Sequence, residues 1–448
     1  MGNTSSDRLP ITGAERGGLL ALVLLAIFIR VWMVLMDHPH TPGGDEGLFI
    51  KIANSIVSGE GFSFRDDRYP CNWQPGMATA ARAPGAPYWL AGWFALLGPN
   101  LLIPRLVVAT ASGACTYLMF LLGRRHSVAA GFAAAGLWAI WLSAIASWYG
   151  VTSVIAEPLA LVCVIIALYS FVRGIETQRT AWGLLSGVGV GFASLLRPPC
   201  ITLLLLTGIW VLIFERKRAR VLVLAAALAG QLLIQAPWVI RNWILLGGFI
   251  PVASYSTTNF YVSNNPLSVA NKGACNQENP EFEPEAVAEM ERLSEIEVSR
   301  YCWQKGWNFI RNNPNDFIYL VVRRMILLFD PTLELVHPFS TNKKYIDAPY
   351  ILLILLFAAS AIYCWQDRYW WLLLIWSFNF VYAHILITTH PRYRQMGEVF
   401  VILMVAPVIG RLWLQGPRGR AALLSMGGVA VLLFSLSEPA LALLRAIL

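Results

Sequence analysis

The sequence predicts an all-α polytopic membrane protein: a bundle of about eleven transmembrane helices, within a range of about nine to thirteen, with interfacial helices in its external loops. Three observations lead there. Of 448 residues, 57% are hydrophobic and only 13% charged, far from the usage of a soluble domain. Apolar runs long enough to cross a bilayer recur along the chain. Lys and Arg gather in short stretches between those runs: Arg124-Arg125-His126, Arg173 to Arg179, Glu215 to Arg220, Gln366-Asp367-Arg368 and Arg418 to Arg420. That is the pattern of cytoplasmic positive-inside loops. The net charge of +8 is therefore loop charge, and no continuous basic patch points to nucleic acid.

Threading the chain between the basic stretches predicts spans near 17–36, 104–122, 127–146, 153–172, 181–196, 200–214, 221–240, 350–364, 369–388, 398–414 and 421–437. The first follows Arg8 and Arg16 and has no small-x-small cleavage site, so it reads as a retained signal anchor. Arg197-Pro198-Pro199 must be a tight turn between two spans, because proline cannot continue a helix interior. Residues 1–448 are expected to form one membrane-embedded domain. Two long polar stretches, 37–103 and 241–349, fall on one side, opposite the basic loops, and a site assembled from loops is expected there. Leu48 to Ser58 and Pro84 to Leu97 carry helical patterns suited to lying in the interface. Phe317 to Phe329, short and containing Arg323-Arg324, reads as interfacial; if it crossed, every later span would invert. Residues 276–299, rich in Glu, read as a solvated helix face, and Asn264-Asn265-Pro266 as a turn.

The seven cysteines form no C-x-x-C and no metal spacing with histidine. Cys115, Cys163 and Cys364 fall inside apolar runs, as small hydrophobes do. Cys71, Cys275 and Cys302 lie in the external stretches, where oxidation permits a Cys275–Cys302 bridge that spacing alone does not fix.

The chemistry-bearing residues gather on the external side. Asp45 and Glu46, in Gly43-Gly44-Asp45-Glu46-Gly47, follow the first span directly. Ionised groups are costly at membrane depth, so a carboxylate pair at the mouth of a bundle marks a site; the alternative is an acidic first turn favoured by the helix dipole. The candidate cations are Arg82, in Arg82-Ala83-Pro84-Gly85-Ala86-Pro87, then Arg197, Arg241 beside Asn242, and Arg392-Tyr393-Arg394. The planar guanidinium never loses its charge and suits phosphate oxygens, although an Arg at a span end also snorkels to headgroups. Glu157, before Pro158, is a substrate or metal contact or a helix N-terminal acid. Together these groups provide what a transfer from a lipid phosphate needs: a base for the incoming proton, cations for an anionic leaving group and an apolar groove for the lipid, with Trp89, Trp93 and Phe94 as its expected lining.

The order of these motifs resembles the GT-C superfamily of membrane glycosyltransferases, most closely glycosyltransferase family thirty-nine, the protein mannosyltransferase and lipid A aminoarabinose transferase branch. The likeness runs from Asp45-Glu46-Gly47 through Glu60-Gly61-Phe62, the Arg82 turn, Glu157, Leu196-Arg197-Pro198, Pro237-Trp238 with Arg241-Asn242, to Arg392-Tyr393-Arg394. It implies a GT-C-like bundle and an inverting transfer of sugar from a polyprenyl-phosphate donor to a hydroxyl or amine of a glycan, lipid or protein acceptor, on the external face of the cell (inner) membrane. It implies that Asp45 is the base, that Glu46 shapes the site and that Arg82 meets the donor phosphate. A divalent metal at Asp45 and Glu157 stays open. No large soluble domain follows the last span, unlike in several relatives, so the acceptor is undetermined. A lipid-linked polysaccharide polymerase or ligase is the alternative, expected to rely on a large loop with His and Arg. A secondary transporter would need two related halves with broken helices at mid-membrane, and the sequence has no such repeat. No G-x-x-x-x-G-K-[ST] or G-x-G-x-x-G phosphate loop is present.

Overall fold

The structure, a computed structural model, describes residues 12–39, 42–64, 69–74, 76–146, 150–153, 156–272, 282–334, 344–387, 389 and 391–435. Cys275, residues 276–281 of the Glu-rich stretch and the side chain of Arg392 lie outside the description.

The architecture is helical. In chain order the helices are α1 Gly13–Met36, α2 Gly44–Val57, α3 Gly85–Leu97, α4 Leu102–Gly123, α5 Val128–Ile140, α6 Leu142–Ala146, α7 Ala156–Thr177, α8 Thr180–Leu196, α9 Leu203–Phe214, α10 Arg218–Leu246, α11 Tyr255–Ser263, α12 Pro266–Ala270, α13 Pro284–Met290, α14 Glu295–Asn312, α15 Pro314–Leu328, α16 Ala348–Cys364, α17 Arg368–Leu386, α18 Gln395–Leu414 and α19 Pro417–Ser435. One small antiparallel ladder, Thr332–Glu334 against Lys344–Ile346, is the exception to an all-α reading. Among the described residues six helices, α1, α4, α7, α10, α17 and α18, are long and apolar enough to cross a membrane, and four stretches are apolar but shorter: α5, α8, Pro198–Phe214 and α16. Among the described residues, each span expected from the sequence overlaps at least one helix.

Where helices stop, the sequence says why. Pro198 and Pro199 end α8 and open a 3-10 turn, Pro198–Thr202, before α9, as the missing N–H of proline requires. The Asn265 side chain accepts from Ser268 N at 2.8 Å and caps α12, so the Asn-Asn-Pro segment is a turn. The 127–146 span is broken, a correction to the single helix expected. Trp141 turns extended between α5 and α6, leaving carbonyls at the end of α5 that nothing in a lipid-depth interior would satisfy. Arg30 of α1, fully buried, donates to two of them, Ala139 O at 3.0 Å and Trp138 O at 2.7 Å, and to Ser112 Oγ at 3.1 Å. Arg324 does the same for α17 and α11: it donates to Ile385 O at 3.0 Å and to Ser263 O. Both are cations held by the negative ends of helices. This resolves the Arg323-Arg324 puzzle, since Arg324 points into the protein while α15 turns Ile318, Val322, Met325 and Ile326 outward.

Close packing of α8 on α10 is built from small residues. A side chain at Gly187 would place its Cβ 1.8 Å from Ala227 O, at Gly183 2.2 Å from Val223 O, and at Gly230 2.5 Å from Leu184 O. Small-residue stripes let backbones approach where lipid supplies no hydrophobic drive. The two helices run the same way, so their C-terminal ends deliver Arg197 and Arg241 to one end of the bundle. Gly187→Val should cost about 3 kcal/mol, because the obstacle is backbone and cannot move aside. Gly136, with open space around it, should accept Ala without loss. Thermal unfolding of the purified variants in detergent checks both.

The basic stretches meet at the other end. Arg125 pairs with Glu176 at 2.8 Å, His126 with Asp367 at 3.3 Å, and the fully buried Glu215 with Arg368 at 2.7 Å and with Arg220. Stretches 37–103 and 241–349 likewise pack on one another: Asn72 N donates to Leu293 O at 2.8 Å, and Tyr69, Ala81, Tyr261, Met290, Val298 and Cys302 share a core. The two long loops therefore lie on one side and the basic loops on the other.

Candidate active site

Asp45 and Glu46 occupy the first turn of α2, behind Gly43 as N-cap. Acids there are stabilised by the helix dipole, so the capping alternative accounts for part of the pair. Glu46 is the capping member: it is buried, and its Oε2 lies 3.4 Å from Gly43 N. Asp45 takes a different direction. Its side chain keeps 24% exposure, and its Oδ1 lies 3.9 Å from Arg82 Nη1. That is a long ion pair with a partly exposed carboxylate.

Arg82 stacks over Tyr255, 4.1 Å from its ring centre, so the second long loop forms one wall of the Arg82 site. Three residues on, Gly85 starts α3 hard against α8, where a Cβ would lie 2.8 Å from Leu195 O. Only glycine allows that approach, and it sets the Arg82 turn beside the end of α8 that carries Arg197. Arg197 pairs with Glu157 at 3.1 Å and lies 5.2 Å from the Tyr393 ring, which stacks on His384 with centres 4.0 Å apart. Glu157 is 2% exposed. A small cleft is lined by Ala86, Trp89, Leu90, Arg105, Leu159 and Leu196, the residue before Arg197. Trp89 lines it, and Trp93 touches Trp89 edge to face at 5.6 Å. Phe94 does not, a correction to the expected groove. It follows Leu90 by one helical turn and packs with it in the main core.

Three further candidates, Arg241, Asn242 and Arg394, are engaged with other segments. Arg241 donates to Thr79 O at 2.7 Å and Phe62 O at 3.0 Å, and lies 4.7 Å from the Trp238 ring. Asn242, fully buried, donates to Ile250 O at 2.9 Å. Both tie the end of α10 to the two loops. Arg394 is buried between Asp347 at 2.6 Å and Glu398 at 2.9 Å, under Tyr350. Glu398 also accepts from Trp141 Nε1 at 2.6 Å, securing the break between α5 and α6. Burial pushes the Asp347 carboxyl up to about 6, against the pull of Arg394. Among the described residues no group of three or more His, Cys, Asp or Glu converges as a metal would require.

One residue escaped the sequence reading. Arg105, in the first turn of α4, is 1% exposed, pairs with Asp37 and donates to Thr152 O, yet its Nη1 is buried without a hydrogen-bond partner while the side chain lines the cleft. An unpaired buried N–H of a cation is costly unless a ligand meets it. Its signal was a lone Arg after Pro104 at the start of an apolar run, passed over as a span boundary.

Residues 81–243 match the dolichyl-phosphate-mannose-protein mannosyltransferase family. No curated protein matches the chain. Among solved structures, the chain superposes on the archaeal oligosaccharyltransferase AglB from Archaeoglobus fulgidus in complex with an inhibitory peptide and a dolichol-phosphate, with TM-score 0.56 and 14% identity, covering 94% of this chain and 54% of that one. The same oligosaccharyltransferase tethered to an acceptor peptide containing the NVT sequon superposes with TM-score 0.55 and 15% identity, covering 89% and 50%. The chain thus spans about half the length of these proteins. ArnT from Cupriavidus metallidurans bound to undecaprenyl phosphate is similar at TM-score 0.40 and 13% identity, covering 88% and 78%, too low a score to carry weight. The family match is confined to residues 81–243, and the fold shared along nearly the whole chain is that of the membrane-embedded oligosaccharyltransferase.

Proposed function

We propose that this protein is an inverting glycosyltransferase that moves a sugar from a polyprenyl monophosphate to an acceptor hydroxyl or amine at the external face of the cytoplasmic membrane. The observation that carries the reading is the Asp45–Arg82 pair, 3.9 Å apart, beside an apolar cleft that holds a buried, incompletely paired arginine. A carboxylate, a cation and an apolar channel are the three parts that transfer from a lipid phosphate requires. The oligosaccharyltransferase with a similar fold is described with a dolichol-phosphate and a peptide, which supports a lipid-linked donor here.

In this reading the isoprenoid chain lies along Trp89, Leu90, Leu159 and Leu196, and the phosphate exchanges places with Asp45 in front of Arg82, within reach of the Arg105 Nη1. Asp45, released from Arg82, takes the proton of the acceptor. The acceptor atom bonds to the anomeric carbon as the bond from that carbon to the phosphate oxygen breaks, and the electron pair leaves with the phosphate. Guanidinium groups in a partly desolvated site stabilise that charge as it collects. Arg197, paired with Glu157, edges the same cleft and serves as a further phosphate or sugar contact, with Tyr393 as its support.

Deletion of the gene followed by mass spectrometry of the membrane lipids tests the reaction. A polyprenyl-phosphate sugar should accumulate; accumulation of long diphosphate-linked glycans would instead support a polymerase or ligase. Sidedness has its own check. Reporter fusions at residue 60 should read as external and at residue 217 as cytoplasmic, and a cytoplasmic signal from residue 60 overturns the arrangement.

A further inference from the structure

Within the Glu-rich stretch that reads as a solvated face, Glu295 is bound to other segments. Glu295, the first residue of α14, turns its carboxylate onto the segment just before Arg82. Its Oε2 accepts from Thr79 Oγ1 at 2.7 Å, and its Oε1 from Ala80 N at 2.9 Å and Ser254 Oγ at 2.7 Å. Ser254 N closes the same clip by donating to Ala80 O at 2.9 Å. The chain continues from Ala80 to Arg82 in two residues, and from Ser254 directly to Tyr255, the ring on which Arg82 stacks. One carboxylate thus fixes both the backbone that carries Arg82 and the aromatic that aims it. Its neighbours are different: Glu297 is exposed and bonds only within its own helix cap, to Ser294 N at 2.9 Å and Ser294 Oγ at 2.6 Å.

We propose that Glu295 is a positioning residue that holds Arg82 against Asp45, so that the second external loop sets the geometry of the phosphate site in the first. This rests on the reading of Arg82 as a phosphate contact, but the clip itself does not depend on it. A charge is not what the clip uses. Three donors need acceptor atoms in fixed places, and a glutamine amide keeps an oxygen for Ala80 N and Ser254 Oγ and turns its NH2 to the Thr79 hydroxyl, which can accept. Positional loss of a phosphate contact costs about tenfold in affinity for each 1.4 kcal/mol.

Two measurements on the full chain in detergent decide it: hydrogen exchange of the amides at residues 79–82, and the affinity for undecaprenyl phosphate followed by tryptophan fluorescence. Glu295→Ala should speed exchange there and weaken binding by about tenfold or more. Glu295→Gln should stay within about threefold of the parent in binding, with exchange unchanged, and Glu297→Ala should move neither. If Glu295→Ala does not fold, the Thr79→Ala/Ser254→Ala double variant removes two of the three bonds and replaces it. Unchanged exchange at 79–82 overturns the proposal, as does faster exchange with binding unchanged while Arg82→Ala weakens binding. If Arg82→Ala itself leaves binding unchanged, the phosphate reading has failed, and the exchange measurement alone decides the clip.

Discussion

Asp45→Asn should lower turnover by about 10² to 10⁴ while the protein inserts and folds as before, because loss of a positioned general base has that magnitude. The substitution is close to isosteric and removes only the ability to take a proton. The side chain is partly exposed, and its ion pair with Arg82 at 3.9 Å is long, so that pair contributes little to stability. Capping of α2 belongs mainly to Glu46 and the Gly43 backbone. If Asp45 served only the helix dipole, Asn would be a mild change of a few tenths of a kcal/mol and activity would persist. The assay is the release of the accumulated polyprenyl-phosphate sugar when the variant is returned to the deletion strain. Release at the parental rate, at equal protein abundance, removes the proposed mechanism.

The second large effect is on stability. Arg30→Met should destabilise the bundle by about 3 to 5 kcal/mol. Methionine fills a similar volume, so the loss is polar: carbonyls of Trp138 and Ala139 and the Ser112 hydroxyl lose their donor at a depth where water cannot replace it. Lysine should not restore the parent, since a single ammonium lacks the forked donors that reach three acceptors on two other helices. Arg16→Met, at an exposed position of the same helix, should be near neutral. Thermal unfolding in detergent measures all three, and a parental melting temperature for Arg30→Met would show that the broken end of α5 is satisfied in another way.

These two residues mark the limits of the sequence reading. Asp45 was legible because a carboxylate pair straight after an apolar run is a local anomaly. Arg30 was not, since an Arg inside a first span says only that a charge must be dealt with; its partners are 82 to 109 positions away. The same holds for the cations grouped as substrate contacts. Arg82 faces Asp45 and stacks on Tyr255, whereas Arg241 is engaged by the carbonyls of Thr79 and Phe62 and Arg394 by Asp347, partners that no spacing rule connects to them. Arg105 was overlooked for the converse reason: its significance lies in a donor left over after Asp37 and Thr152 are served, and an unpaired atom leaves no trace in a string of letters.

The helical membrane class, the pairing of the two long loops, and the turn at Arg197-Pro198-Pro199 were all legible in the chain alone, because hydrocarbon thickness, charge asymmetry and proline's missing N–H act over one helix or one loop at a time. Tertiary structure alone decided which arginine faces Asp45, which helix end needs a cap and which of many glutamates clips Thr79, Ala80 and Ser254. Those outcomes follow from the geometry of hydrogen bonds between segments as far apart as 216 residues, where a few tenths of an ångström separate a partner from an empty site.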